Sequence, residues 1–145
     1  MANSKSAQIR DFYHKGLCGL ANLGNTCFMN ATLQSLSNCI PLTGFILSKQ
    51  FTDYESDSKE YQLLVSYHNM LADLWKENSV VKPVKFHKIF QRIAHGWGRD
   101  EFLGFGQKDA HEFLVFLLEI MHQAIARKVF RMACDLWMVR LEVRR

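Results

Sequence analysis

Gly19-Leu20-Ala21-Asn22-Leu23-Gly24-Asn25-Thr26-Cys27-Phe28-Met29-Asn30-Ala31-Thr32-Leu33-Gln34-Ser35-Leu36 falls into two parts of opposite character. From Gly16 to Asn25 the chain reads as a loop, because glycines at 16, 19 and 24 permit backbone turns that other residues resist. Thr26 stands where a helix N-cap would stand. From Cys27 to about Ser37 the spacing is helical, with Phe28, Ala31 or Thr32, and Ser35 or Leu36 on related faces, and Asn38 and Pro41 are expected to close the element. The helix therefore begins at a cysteine. A thiol in a first turn sees unpaired backbone N–H groups and the positive end of the helix dipole, both of which favour thiolate. The loop before it lets backbone and a side-chain amide, Asn22 or Asn25, approach a substrate carbonyl, as an oxyanion hole requires. A small cysteine that merely begins a core helix fits the same residues, and spacing alone leaves both readings open.

Working outward, Asp57-Ser58-Lys59-Glu60 has the spacing of a capping box ahead of Tyr61, Leu64, Val65, His68, Leu71, Leu74 and Trp75, which recur at three- and four-residue steps. This predicts a long helix over about 58–77. Pro83 suits the first turn of a third helix with Phe86, Ile89, Phe90 and Ile93 as its core face. From His95 to Gly106, glycines at 96, 98, 104 and 106 alternate with Trp97, Phe102 and Phe105, which predicts an ordered or hinged loop. A fourth helix starts near Asp109 and buries Ala110, Phe113, Leu114, Leu117, Met121, Ala124 and Ile125. After Lys128, Trp137, Val139, Leu141 and Val143 alternate with Met138, Arg140, Glu142 and Arg144, a candidate strand, while residues 130–137 fit a helix as well.

The 145 residues are 48% hydrophobic and 22% charged with two prolines, the composition of one ordinary globular domain. Cysteines at 18, 27, 39 and 134 form no C-x-x-C pair, so no structural zinc and no other cofactor is expected. The first fifteen residues lack an apolar h-region, and no later apolar run approaches the ~18 residues of a membrane span. An intracellular location, cytoplasmic and/or nuclear, with reduced thiols is the expectation. The net charge of +4 resides in residues 127–145, where six basic side chains face two acidic ones, and the rest of the chain is neutral. A solvated basic end is expected rather than a nucleic-acid or membrane surface.

The quoted stretch resembles the cysteine box of the ubiquitin-specific proteases, which are deubiquitinating enzymes. Gly106-Gln107-Lys108-Asp109-Ala110-His111-Glu112-Phe113-Leu114 is similar to that family's Q-Q-D-A-H-E-F segment, departing at Lys108 where glutamine is frequent. The resemblance covers residues 16–126 and implies a mainly α chain of about four helices. This is the helical, thumb-like half of a papain-like α+β cysteine protease fold, with the β-rich half absent. It sets a polar lead-in at 1–15, a partial catalytic domain at 16–126 and a divergent basic tail at 127–145.

By the same resemblance, Cys27 matches the nucleophile that attacks the carbonyl at the ubiquitin C-terminus. Asn22 matches the amide that holds the oxyanion alongside the Cys27 N–H. Asp109 and Glu112 match acidic residues facing the extended ubiquitin tail, whose arginines call for carboxylates, and Gln107 matches a position close to the cysteine cleft, so all three are expected to bind substrate. D-x-x-E opening an apolar helix is also a capping box, so on spacing alone both satisfy backbone donors; with the resemblance, Asp109 caps while Glu112 binds ligand, or the reverse. His111 does not match the family's catalytic histidine, and His14, His68, His87, His95 and His122 read as structural or solvent-facing. The expected activity is thiol-dependent hydrolysis at ubiquitin or ubiquitinated proteins, with the base supplied from elsewhere. The alternative is a catalytically inactive module that binds the ubiquitin tail or a partner.

Overall fold

A computed structural model of the chain describes residues 16–51, 57–76, 80–104 and 106–142. The lead-in at 1–15 and Phe105 lie outside the described residues. In chain order the elements are β1 (Gly19–Leu20), α1 (Cys27–Ser37), α2 (Ile40–Leu47), α3 (Lys59–Leu74), β2 (Val80–Val81), α4 (Val84–Gly96), a 3-10 turn (Asp100–Phe102) and α5 (Ala110–Glu142). The chain is mainly α, as the sequence implies.

Helix α2 is the element the sequence reading missed. Its residues, Ile40-Pro41-Leu42-Thr43-Gly44-Phe45-Ile46-Leu47, carry almost no polar side and hence no helical period. Pro41 sits in the first turn, where its missing N–H costs nothing, so the proline that was expected to close α1 opens α2 instead. Helix α3 is capped one residue later than expected: Ser58, not Asp57, accepts the N–H of Tyr61 at 3.2 Å. The strand expected near 137–143 is absent, because α5 runs on as helix to Glu142. No glycine or proline follows Gly106, so nothing in the sequence interrupts the hydrogen-bond ladder.

Helix α3 is the central pillar and packs against α2, α4 and α5. Leu63, Leu64, Tyr67, Leu71 and Leu74 are almost wholly buried on it. His68, also buried, places Nδ1 at 2.9 Å from the carbonyl oxygen of Ile46 and so ties α3 to α2. The predicted core face of α4 (Phe86, Ile89, Phe90, Ile93) is buried throughout. Phe90 meets Phe113 and Phe116 of α5 edge to face, with ring centroids 4.9 and 5.6 Å apart. Phe102 stacks on Phe116 at 5.3 Å and thereby fixes the glycine-rich segment between α4 and α5. Arg99 covers this cluster, its guanidinium 4.9 Å from the Phe116 ring centre. Each buried phenylalanine contributes on the order of 1.5–3 kcal/mol, plus a further increment where rings meet edge to face. No helix among the described residues is long and apolar enough to cross a membrane.

Candidate active site

The loop before α1 is held from both sides. Strands β1 and β2 pair in parallel, Gly19 with Val80 and Leu20 with Val81, and the N–H of Ala21 continues the ladder to the Val81 carbonyl at 2.9 Å. From the helix side, the Asn30 amide donates to the carbonyls of Leu20 and Ala21 at 3.4 and 3.1 Å, and Gln34 donates to the Cys18 carbonyl at 2.9 Å. Gly16 adopts φ +76°, and a Cβ there would lie 3.1 Å from the Trp75 indole. Only glycine lets the chain enter the loop along this path without displacing that ring.

Asn22 organises the turn itself. Its Oδ1 accepts from the N–H of Gly24 at 3.1 Å, the N–H of Thr26 at 3.1 Å and the hydroxyl of Thr26 at 3.0 Å. Gly24 and Asn25 follow with φ of 106° and 49°, the left-handed conformations that glycine and asparagine tolerate best. The Thr26 oxygen accepts in turn from the Leu23 N–H at 3.0 Å. With its hydroxyl committed to the loop, Thr26 stands at the N-cap position without capping, and α1 has no side-chain cap. Among the described residues the first-turn N–H groups around the exposed Cys27 are thus left without a side-chain cap. Oδ1 being occupied three times over, the Nδ2 donor is what Asn22 has left to offer a ligand.

The second motif opens α5. Asp109 Oδ1 accepts the backbone N–H of His111 at 2.7 Å and of Glu112 at 2.9 Å. These bonds, that from Glu112 first, hold the Asp109 carboxyl below its ordinary range. Glu112 is exposed, and among the described residues its carboxylate returns no bond to the cap, so half of the expected capping box is formed. Gln107 is exposed two residues ahead of the cap.

Helix packing brings the two motifs together. Phe28, next to Cys27, meets Phe113, next to Glu112, edge to face at a centroid distance of 5.4 Å. One turn further along α1, the Thr32 hydroxyl lies 3.4 Å from the Ala110 carbonyl and 2.9 Å from that of Phe28. The N-termini of α1 and α5 therefore sit side by side, one carrying the thiol and the other the carboxylates. Gln107 is not tied into this arrangement by any hydrogen bond among the described residues.

Sequence reasoning passed over Thr26, Asn30 and Gln34 as parts of the site. The signal was present, since Cys27, Asn30 and Gln34 share one helical face, and polar residues on a face turned toward a loop are there to hold it. Two histidines are engaged elsewhere, His68 with Ile46 and His95 with Asp100 at 3.1 Å. Burial lowers the pKa of half-buried His87 on α4. No group of three or more His, Cys, Asp or Glu side chains among the described residues is placed to hold a metal ion.

The family model described as ubiquitin carboxyl-terminal hydrolase matches residues 18–142. Among relatives, the chain is 40% identical over 133 residues to human "Ubiquitin carboxyl-terminal hydrolase 2", a match covering 89% of this chain and 20% of that protein. It is 37% identical over 116 residues to human "Ubiquitin carboxyl-terminal hydrolase 21", covering 78% of this chain and 20% of the relative. To "Ubiquitin carboxyl-terminal hydrolase 15" of Xenopus tropicalis it is 37% identical over 117 residues, covering 77% and 11%. The chain thus spans about a fifth or less of the length of these relatives.

Proposed function

The chain belongs to the ubiquitin carboxyl-terminal hydrolase family of ubiquitin-specific proteases, and we propose that it carries the nucleophile half of a deubiquitinating site, with Cys27 as the attacking thiol. The observation that supports this reading most is the uncapped first turn of α1, which surrounds an exposed cysteine with N–H donors while Asn22 is held beside it by its own Oδ1.

The chemistry follows from those positions. The Cys27 thiolate attacks the carbonyl carbon that joins the ubiquitin C-terminus to an amine, and the carbonyl oxygen takes up negative charge. The Cys27 N–H and the Asn22 Nδ2 are donors for that charge, and a single such donor is worth about 10²–10³ in rate. The amine leaves with a proton, a thioester forms on Sγ, and water then releases ubiquitin and regenerates the thiol. In this reading a base supplied from elsewhere accepts the thiol proton and returns it to the amine. Glu112 receives the basic tail at the helix end that Asp109 caps, and Gln107, ahead of that helix, is a further contact for it. Fixing the tail there sets the scissile carbonyl over Cys27.

The test is incubation of the full chain with ubiquitin carrying a C-terminal electrophile, followed by intact mass spectrometry, with Cys27→Ala as control. The expected result is one ubiquitin added to the parent chain and none to the variant. A folded chain that binds ubiquitin without forming the adduct would replace this reading with that of a tail-binding module, and equal labelling of the variant would refute Cys27 as the nucleophile.

A further inference from the structure

A groove of about 530 Å³ lies along α4, on a surface that the thiol site does not use. Lys82, Lys85, Lys88 and Arg92 line it, with Gln62 of α3 across from them and Val84 and Ile89 between. Lys85, Lys88 and Arg92 follow one another at three- and four-residue steps, so they share one helical face. All four cations are exposed, and none of the ion pairs among the described residues uses them. Helix α4 also begins here without a side-chain cap, so its positive end adds to the same field.

Four unneutralised cations in one groove repel one another, an arrangement that relaxes when an anion enters. Chain neutrality between residues 1 and 126 makes this local excess a matter of placement rather than of composition. We propose that the groove is a docking site for an acidic peptide segment, with an aliphatic side chain resting on Val84 and Ile89 and carboxylates on either side meeting the lysines and Arg92. The sign of the charge separates this surface from the site at α5, where carboxylates await a basic tail. The lining contains no aromatic ring on which a base could stack, so a nucleic acid lacks the contacts that usually accompany backbone binding. Only two aliphatic side chains line it, too small an apolar face for a lipid surface.

The groove connects to the thiol site through the backbone. Lys82 directly follows β2, whose Val81 carbonyl holds the loop through the Ala21 N–H. An acidic segment of a conjugated protein would thus dock one residue beyond the ladder that supports Asn22.

Fluorescence anisotropy of the full chain with a dye-labelled ten-residue peptide alternating glutamate and leucine tests the proposal. A lysine-for-glutamate version, a single-stranded oligonucleotide of ten bases and phosphatidylserine vesicles serve as competing probes. The acidic peptide is expected to bind, to weaken as salt rises, and to lose roughly tenfold or more in affinity in Lys85→Glu/Lys88→Glu, which turns two attractive exposed pairs into repulsive ones. Cys27→Ala is expected to bind as the parent does, which separates this site from the thiol chemistry. Should the double reversal fail to fold by circular dichroism, Lys82→Gln/Arg92→Gln reads the same loss at lower cost. Binding no tighter than that of the lysine peptide, insensitivity to these substitutions, or tighter binding of the oligonucleotide or the vesicles would each overturn the assignment.

Discussion

Helix α5 closes its N-terminus with the Asp109 carboxylate, whereas α1, packed beside it through Phe28 and Phe113, leaves its own first turn open although a threonine occupies the cap position. The difference lies in what surrounds the two capping residues. Asp109 has only the helix ahead of it to bond. Thr26 has Asn22 four residues behind, and the Asx turn draws its hydroxyl and its N–H away from the helix. A capped end is satisfied and contributes stability; an open end next to a thiol retains donors for a ligand's developing charge. In this pair of helices one end is satisfied by its own cap, and its neighbour has no side-chain cap.

The comparison breaks most severely if the two ends are pulled apart. Phe113→Ala removes a fully buried ring that touches Phe28, Phe90 and Phe102. It is expected to cost about 3–5 kcal/mol, read as a lower midpoint in urea unfolding. Asn22 offers a sharper cut, because its two functions sit on different atoms. Asn22→Asp keeps the accepting Oδ1 and its turn, whereas Asn22→Ala loses the turn as well. Addition of Cys27 to ubiquitin aldehyde is expected to slow by roughly 10²–10³ in both variants, and melting temperature to fall only in the alanine one. Equal melting temperatures would mean that the Asx turn contributes nothing.

At the closed end the prediction is a pH dependence. The folded Asp109 carboxyl is held below its ordinary value, so its cap is in place above the normal aspartate range near pH ~4 and is lost as pH falls through the lowered folded value. Asp109→Asn is expected to lower the melting temperature at neutral pH and to flatten its decline in acid; parallel curves for parent and variant would contradict the cap. The smallest effect belongs to Glu112, which is exposed and takes no part in the described cap. Glu112→Gln is expected to leave unfolding within about 0.5 kcal/mol of the parent. Its affinity for ubiquitin should fall no more than about fivefold, the range of one exposed ion pair, in isothermal titration. A loss of stability equal to that of Asp109→Asn would return Glu112 to the capping box.

Much of this was legible because periodicity reports burial. The stripe from Tyr61 to Leu74 and the face from Phe86 to Ile93 were readable as helices whose apolar sides meet, and they do. Helix α2 was not, since Ile40 to Leu47 is apolar nearly all round and a proline marks a helix start as readily as an end. Nor was the course of α5 beyond Lys128, where apolar residues two apart mimic a strand while every residue type present tolerates a helix. At the site, Cys27 and Asp109 stand out in sequence because each is tied to a helix start. Which capping residue bonds inward and which bonds along its helix was not legible, because Thr26 and Asp109 are both good caps. Loop geometry decides their partners: Thr26 bonds Asn22 four residues behind it, whereas Asp109 bonds the N–H groups of His111 and Glu112 two and three residues ahead.

Cys39 supplies an internal control for the central claim. Like Cys27 it is exposed, and it occupies the N-cap position of α2, so solvent access and a nearby helix start are common to both thiols. Among the described residues, Cys39 has no Asx-turn loop bonded ahead of it, and its helix has no acidic residue in the first turn. The most direct measurement is peptide mapping of the chain after brief exposure to ubiquitin bearing a C-terminal electrophile, with iodoacetamide as a small reagent that needs no docking. Selective capture of ubiquitin at Cys27, with both thiols alkylated by iodoacetamide, is the predicted outcome. Capture at Cys39 equal to that at Cys27 would show that exposure alone governs the reaction and would contradict the assignment of the open helix end to chemistry.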